Sequence, residues 1–461
     1  MTTTASPPAT HAWTGTTPPA EATWATRGVV ATAHQYASLA GLEALRAGGN
    51  AVDAAISAGA VLMTVKPWSG HLGGDVFMLI HHPGEEVVAI NGSGAAPAAA
   101  TAAHYRALGG IPPHGLLAAS VPGAVRAWQT ALERFGSLPL ADLLQPAIEH
   151  AERGVPVSPA IQRGLDFGAR MAHAEVYPDS ASVFLPGGAA PPVGSLFRQP
   201  GLARTLRRIA QHGPDDFYSG DLAREMARYM AAHGGQMTAA DLASHQSEVT
   251  APIAVEYRDH TVIEQPLPSQ GLIVLMALNI LRQFDLAALG QGSAETTHLQ
   301  IEALRLAVDD RLRHAGDSRR VDVPLDWLLS DEHARQQAAS IDLRRASLPR
   351  APAPAHPDTT YLCAADADGT LVSYIHSLYA GCGVMLGDTG VLLNDRMNGF
   401  DLDEGNPNCL APGKRPVHTL NQYMAQRDGQ TVLVGGTPGA HWQVQTNLQL
   451  LVNVIDFGMD P

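Results

Sequence analysis

The run Asp358-Thr359-Thr360-Tyr361-Leu362 sets two hydroxyl side chains directly behind a proline-rich stretch that stops at Asp358. A threonine hydroxyl is a poor nucleophile until a base removes its proton. If the Asp358–Thr359 bond is cut, the freed α-amine lies on the same residue as the hydroxyl. Its reference pKa of about 7.7 to 8.0 suits a general base near neutral pH. One residue then supplies nucleophile and base together. The proline-rich run fits a segment that must be strained, cut and moved aside, because it cannot serve as a central strand. The same residues also read as a surface linker entering a strand, and spacing alone leaves both readings open.

Other chemistries find less to work with. "GHLGGD" (70–75) is glycine-rich, but no Lys-Ser or Lys-Thr follows it and no strand leads in, so it reads as a tight turn near a site rather than a phosphate loop. The chain has 20 histidines, yet no His-x-x-x-His helix and no Cys-x-x-Cys pair, so neither a metal nor another cofactor is expected. No Gly-x-Ser-x-Gly elbow appears. Cys363, Cys382 and Cys409 lack metal-type spacing and cannot all pair, which points to reduced thiols and a cytosolic compartment.

Lys and Arg number 30 against 44 Asp and Glu, a formal charge of −14 that argues against a nucleic-acid partner. Hydrophobic content of 45% with 16% charged residues is ordinary for a soluble globular chain. The longest apolar stretch, "AVDAAISAGAVLMTV", is too short and too polar to span a bilayer, so no membrane association is expected. Residues 1–27 have no basic n-region and no apolar h-region; they read as a disordered leader on a cytoplasmic protein.

The elements that must hold Thr359 follow from patterning. "YASLAGLEALRAGGN" predicts a helix with Leu39, Leu42 and Leu45 on one face, stopped by Gly48 and Gly49, with Asn50 capping the next. That next helix is apolar nearly all round and so belongs inside. "VFMLIHH" and "EVVAINGSG" read as strands, which gives helices packed on a sheet. Residues 115–345 read as mostly helical. The clearest segment is 297–317, with Leu299, Ala303, Leu306 and Ala307 at helical spacing, and 263–281 is a Pro/Gly loop opening onto a buried helix. After 358 the pattern turns to short strands ("TYLCAAD", "LVSYIHS", "GVLLND", "TVLVGGTPG") and a last helix in "TNLQLLVNVIDFG". Helices are thus expected before the boundary and strands after it.

Many stretches in one order carry a family resemblance. They are "RAGGNAVDAAISAG" (46–59), "GHLGGDVFML" (70–79), "SVPGAVRAW" (120–128), "GPDDFYSGDLA" (213–223), "GGQMTAADL" (234–242) and "PLPSQG" (266–271). "DTTYL" (358–362), "GVLLND" (390–395), "GKRP" (413–416) and "GTPGA" (436–440) continue them. From about residue 28 onward the chain resembles the γ-glutamyltranspeptidase family of N-terminal-nucleophile hydrolases. The resemblance implies an α+β fold, a four-layer αββα sandwich. It also implies a precursor that cuts itself between Asp358 and Thr359, into a large segment (28–358, after the leader) and a small one (359–461) that together form one domain. The small segment would hold 103 residues, short of the family norm, so the chain is expected to stop before the strands that complete the sandwich.

By position, Thr359 matches the family's nucleophile and Ser377 a hydroxyl that hydrogen-bonds it. Pro438-Gly439-Ala440 matches the turn whose amides form the oxyanion hole, with Ala440 in place of a glycine; because the donor is backbone, the exchange is tolerable where the turn accepts a Cβ. The substrate side departs from the γ-glutamyl pattern. Ser93 and Gly94 stand where relatives carry Arg-Glu, His418 and Thr419 replace paired serines, and Gly399 replaces an aspartate that holds the α-amino group. Arg396 offers a carboxylate a partner from another direction, or else forms an ordinary surface ion pair. The implied activity is threonine-based amide hydrolysis or acyl transfer on a γ-glutamyl compound or related small amide. An oxamate-type amidohydrolase and an inert relative acting as a binding or scaffold protein are the alternatives.

Overall fold

A computed structural model describes residues 22–347, 359–379 and 383–460. Asp358, Cys382 and most of the expected leader therefore lie outside the described residues. Strands are β1 (Gly28–Thr32), β2 (Asp75–His81), β3 (Val88–Gly92), β4 (Val155–Pro156), β5 (Leu196–Phe197), β6 (Glu248–Thr250), β7 (Ile253–Tyr257), β8 (His260–Glu264), β9 (Thr359–Asp366), β10 (Leu371–Ser377), β11 (Gln422–Arg427) and β12 (Gln430–Gly436). They form one sheet in the order β1-β9-β10-β2-β3-β6, a second in the order β12-β11-β8-β7, and the small ribbon β4-β5.

The two larger sheets stack face to face, with a helix layer outside each. Leu79 and Ala89 of the first sheet meet Ile263 and Met424 of the second, and Phe77 and Ile375 pack beside Leu420. The strand period of two explains why β2 is apolar without a break: Phe77 and Leu79 face the other sheet, while Val76, Met78 and Ile80 face the helices. Helices α1 (Gln35–Arg46) and α2 (Ala51–Val65) cover the first sheet. Asn50 caps α2 as expected: its Oδ1 accepts from Val52 N at 2.9 Å, and Asp53 Oδ2 accepts from Asn50 N at 2.8 Å, a reciprocal capping box. All fifteen residues of α2 are buried. Helices Gly271–Leu281, Ala294–His314 and Gln443–Ile455 cover the second sheet. This is the αββα arrangement.

Three expectations need correction. Residues 253–264 are a β-hairpin, not part of a helical region. Ile253, Val255 and Tyr257 are buried while Ala254 and Glu256 are exposed, a strict alternation, and Arg258 turns the chain with φ of 57°. The first sheet also draws strands from both sides of residue 358, so helices and strands do not segregate there. "GVLLND" is not a strand; it forms the isolated bridges Gly73–Leu393 and Met385–Leu392 rather than a ladder. Its Asn394 instead ties the "GHLGGD" turn in place, Nδ2 donating to Gly73 O at 2.8 Å. Among the described residues no helix is long and apolar enough to cross a membrane.

Three of the enclosed histidines show how the interior becomes acid-sensitive. Burial pushes His71 and His245 down to about 3 and His376 to about 4. These rings stay neutral in the folded chain, whereas in the unfolded chain they titrate near 6.5. Below that pH the unfolded state binds more protons, so stability is complete above 6.5 and declines as pH falls towards 4. At pH 5 the loss is about 2 kcal/mol per ring, or about 6 in all. Denaturant midpoints at pH 7.5 and pH 5 measure it, and equal stability at both would contradict the assignment.

Candidate active site

Strand register assembles the site. Thr359 opens β9 directly opposite Ser377, the last residue of β10, and Ser377 lies opposite Asp75, the first residue of β2. Tyr361, two residues along β9, packs into the inter-sheet cluster, so this row of three faces the gap between the sheets. The Oγ atoms of Thr359 and Ser377 are 3.1 Å apart, and Tyr379 N donates to Ser377 Oγ at 2.9 Å. Backbone must come very close here. A Cβ at Gly74 would lie 2.4 Å from Ser377 O, which explains a glycine at that point of the turn.

Asp75 holds the wall beside Thr359 and Ser377. Its Oδ1 accepts from Gly94 N at 2.9 Å and its Oδ2 from Arg396 Nε at 3.0 Å. Burial raises the Asp75 carboxyl, while Arg396 and the Gly94 amide pull it back; one donor on each oxygen is the arrangement a carboxylate wants. Arg396 is 0% exposed, and its Cζ sits 4.5 Å from the centre of the Tyr379 ring. Its Nη1 and Nη2 have no hydrogen-bond acceptor among the described residues. The ion pair expected at the surface is instead fully buried: one edge of the guanidinium is spent on Asp75, and the other has no acceptor among the described residues.

Around it lies further unspent polarity. His418 is fully buried with neither ring nitrogen bonded, its ring tilted on Phe77 at 5.0 Å. Burial, then Arg396, Arg415 and Arg311, push His418 well below its ordinary value, so it is neutral. Thr419 Oγ1 is buried and unbonded. Thr419, Tyr379, Arg311, Gly399 and His441 line a cavity of about 280 Å³. Larger hollows of about 570 and 650 Å³ lie elsewhere. Neither is lined by Thr359, Ser377 or Asp75.

The remaining expected residues fall into place unequally. Ser93 Oγ donates to Asn91 Oδ1 at 2.6 Å, which turns the hydroxyl back onto its own loop. At Gly94 a Cβ would lie 1.5 Å from Val121 O, so this position contributes only its amide. Ala440 adopts φ of 48°, a left-handed conformation that costs a non-glycine residue about 1 kcal/mol, while Gly439 has φ of 122°. The Gly439–Ala440 turn leads straight into Gln443, whose Nε2 lies 3.5 Å from Thr359 Oγ.

Arg311, Asp75 and Gln443 were not singled out from the sequence. Arg311 had a signal, a charge on the same helical stripe as Ala303 and Ala307; burial lowers it to about 10, and its Nε is unbonded. Asp75 had one too, as the acid that opens an apolar run. Gln443 had none.

Comparison with known proteins agrees with this geometry. The family profile described as gamma-glutamyltranspeptidase matches residues 37–461. The chain is 38% identical over 440 residues to the glutathione hydrolase-like YwrD proenzyme of Bacillus subtilis, covering 95% of this chain and 83% of that protein. It is 37% identical over 438 residues to the oxamate amidohydrolase proenzyme of Klebsiella pneumoniae, covering 93% and 82%. Its fold is similar to the crystal structure of cephalosporin acylase from Bacillus halodurans, with a TM-score of 0.89, 36% identity and coverage of 98% of this chain and 85% of that one.

Proposed function

The chain belongs to the gamma-glutamyltranspeptidase family, and on that premise we propose that its preferred acyl donor carries a carboxylate which Arg396 receives. It is an N-terminal-nucleophile amidohydrolase or acyltransferase, made as a precursor that is processed into a large and a small subunit and acting on small molecules. In the proposed mechanism Thr359 is the new N-terminus. Its amine takes the hydroxyl proton as Oγ attacks the amide carbonyl, with Ser377 alongside. The Gly439 and Ala440 amides receive the oxyanion. The amine returns the proton to the leaving nitrogen, and water or an acceptor amine then releases the acyl group. His418 and Thr419 line the acyl side.

The observation that carries the substrate reading is the pair of buried, unbonded Nη atoms on a guanidinium already anchored to Asp75. Anchoring through Nε pre-organises the fork, so a bidentate carboxylate costs little ordering. Gly399 has no side chain with which to take an α-ammonium. Arg311 and Arg415 add positive charge around His418, and Asp395 beside Arg396 is engaged in interactions of its own. The monoamide of a dicarboxylic acid fits this charge balance better than a zwitterionic γ-glutamyl group. The names of the oxamate amidohydrolase and cephalosporin acylase relatives support a non-glutamyl acyl group.

Glutaric and γ-glutamyl p-nitroanilides differ only in the α-ammonium, which makes them the direct test. Glutaryl turnover is expected to exceed γ-glutamyl turnover by about tenfold or more in kcat/KM, the effect of about 1.4 kcal/mol. Equal rates, or a preference for γ-glutamyl, would sink the proposal.

A further inference from the structure

Gln443 is fully buried, opens the last helix three residues after Ala440, and has both ends of its amide engaged. Its Oε1 accepts from Asn421 N at 3.0 Å, and its Nε2 approaches Thr359 Oγ at 3.5 Å. The backbone N–H of Asn421 can only donate, so the oxygen of the side-chain amide must face it and the NH₂ must face Thr359. Gln443 therefore donates to the threonine oxygen and cannot accept from it. The amide is itself clamped. Asn447, one helical turn on, donates to the Asn421 side-chain oxygen, and Asn421 Nδ2 donates to buried Glu264 at 2.7 Å.

We propose that Gln443 is a positioning residue for the nucleophile, donating to Thr359 Oγ so that the hydroxyl's own proton points away from the helix, towards Ser377 and the α-nitrogen. The same segment carries the Gly439–Ala440 turn, so one helix start sets the attacking oxygen and the oxyanion donors together. In the precursor the role is equivalent. Oγ attacks the carbonyl carbon of residue 358, the C–N bond breaks, and the nitrogen of Thr359 leaves as the amine with the hydroxyl proton. Water then splits the resulting ester, restoring the hydroxyl and leaving a carboxylate at 358. Gln443 gains and loses no proton in either reaction.

The inference rests on Thr359 being the nucleophile, and self-cleavage tests it without any substrate. Gln443→Leu removes the donor; Gln443→Glu keeps the shape but sets a carboxylate near the amine. Gln443→Leu is expected to slow self-cleavage and lower kcat on the order of a hundredfold, with KM within about twofold, as for an interaction made mainly in the transition state. Gln443→Glu is expected to move the acid limb of the kcat profile up by about one pH unit, because a nearby negative charge stabilises the ammonium form. A merely structural residue would leave that limb unmoved. Wild-type cutting rates and an unshifted limb in the variants overturn the proposal. So does failure of both variants to fold, which would make Gln443 a structural residue. A wild-type chain that never cuts would instead remove the nucleophile reading itself.

Discussion

Thr359→Ala is expected to yield a single uncut chain with turnover lower on the order of 10⁴-fold or more, because in the proposed mechanism the substitution deletes the group on which self-processing and acyl transfer both depend. The residue is fully enclosed, opposite Ser377 and within reach of Gln443, so no neighbouring hydroxyl has its geometry. Ser377 comes nearest, but it sits at the end of β10 and has no α-amine to gain. Thr359→Ser keeps hydroxyl and amine and is expected to cut and turn over more slowly, having lost the methyl that restricts χ1. Intact mass and N-terminal sequencing read the first effect, and steady-state rates the second. Two pieces meeting at 358/359 in the alanine variant would end the case for this nucleophile.

Arg396 gives the next largest effect. For a carboxylate-bearing donor, Arg396→Met is expected to lower kcat/KM by about 10² to 10³, the loss of a desolvated charge pair of about 2 to 5 kcal/mol. The single variant also strands Asp75, a carboxylate at 0% exposure left with only the Gly94 amide among the contacts described above. Breaking such a pair on one side destabilises by about 3 to 5 kcal/mol. Asp75→Asn combined with Arg396→Met removes both charges and separates the two consequences. In the double variant the melting temperature recovers, the carboxylated donor stays slow, and a neutral acyl anilide of the same length changes by less than about threefold. If the neutral donor falls as far as the charged one, Arg396 acts through the wall rather than through the substrate.

What could be read from residues alone divides along a physical line. Local signals were legible: the Asn50 cap, the all-apolar α2, the glycine turn before β2 and the abrupt change at Thr359 all follow from short-range chemistry. The hairpin at 253–264 alternates cleanly, yet it sits among helices and was absorbed into them. "GVLLND" has the composition of a strand, but its chain is spent tying the turn below it through Asn394. The site was half legible. Family-patterned positions drew attention to Ser93 and Gly94. In the fold one is turned onto its own loop, and the other has no room for a side chain. Asp75, Arg311 and Gln443 act through contacts 84 to 321 residues apart in sequence, or inside a helix, where no spacing rule reaches.

On the proposed reading, processing at 358/359 would not simply release a piece. In the first sheet β9 and β10, which follow the cut, lie between β1 and β2, which precede it; in the second, β11 and β12 continue a ladder begun by β7 and β8. The two polypeptides would be woven into shared sheets, so neither could depart without dismantling both layers. Dilution would therefore have no hold on the pair, and the freshly made chain end would stay pinned at the spot where it was created.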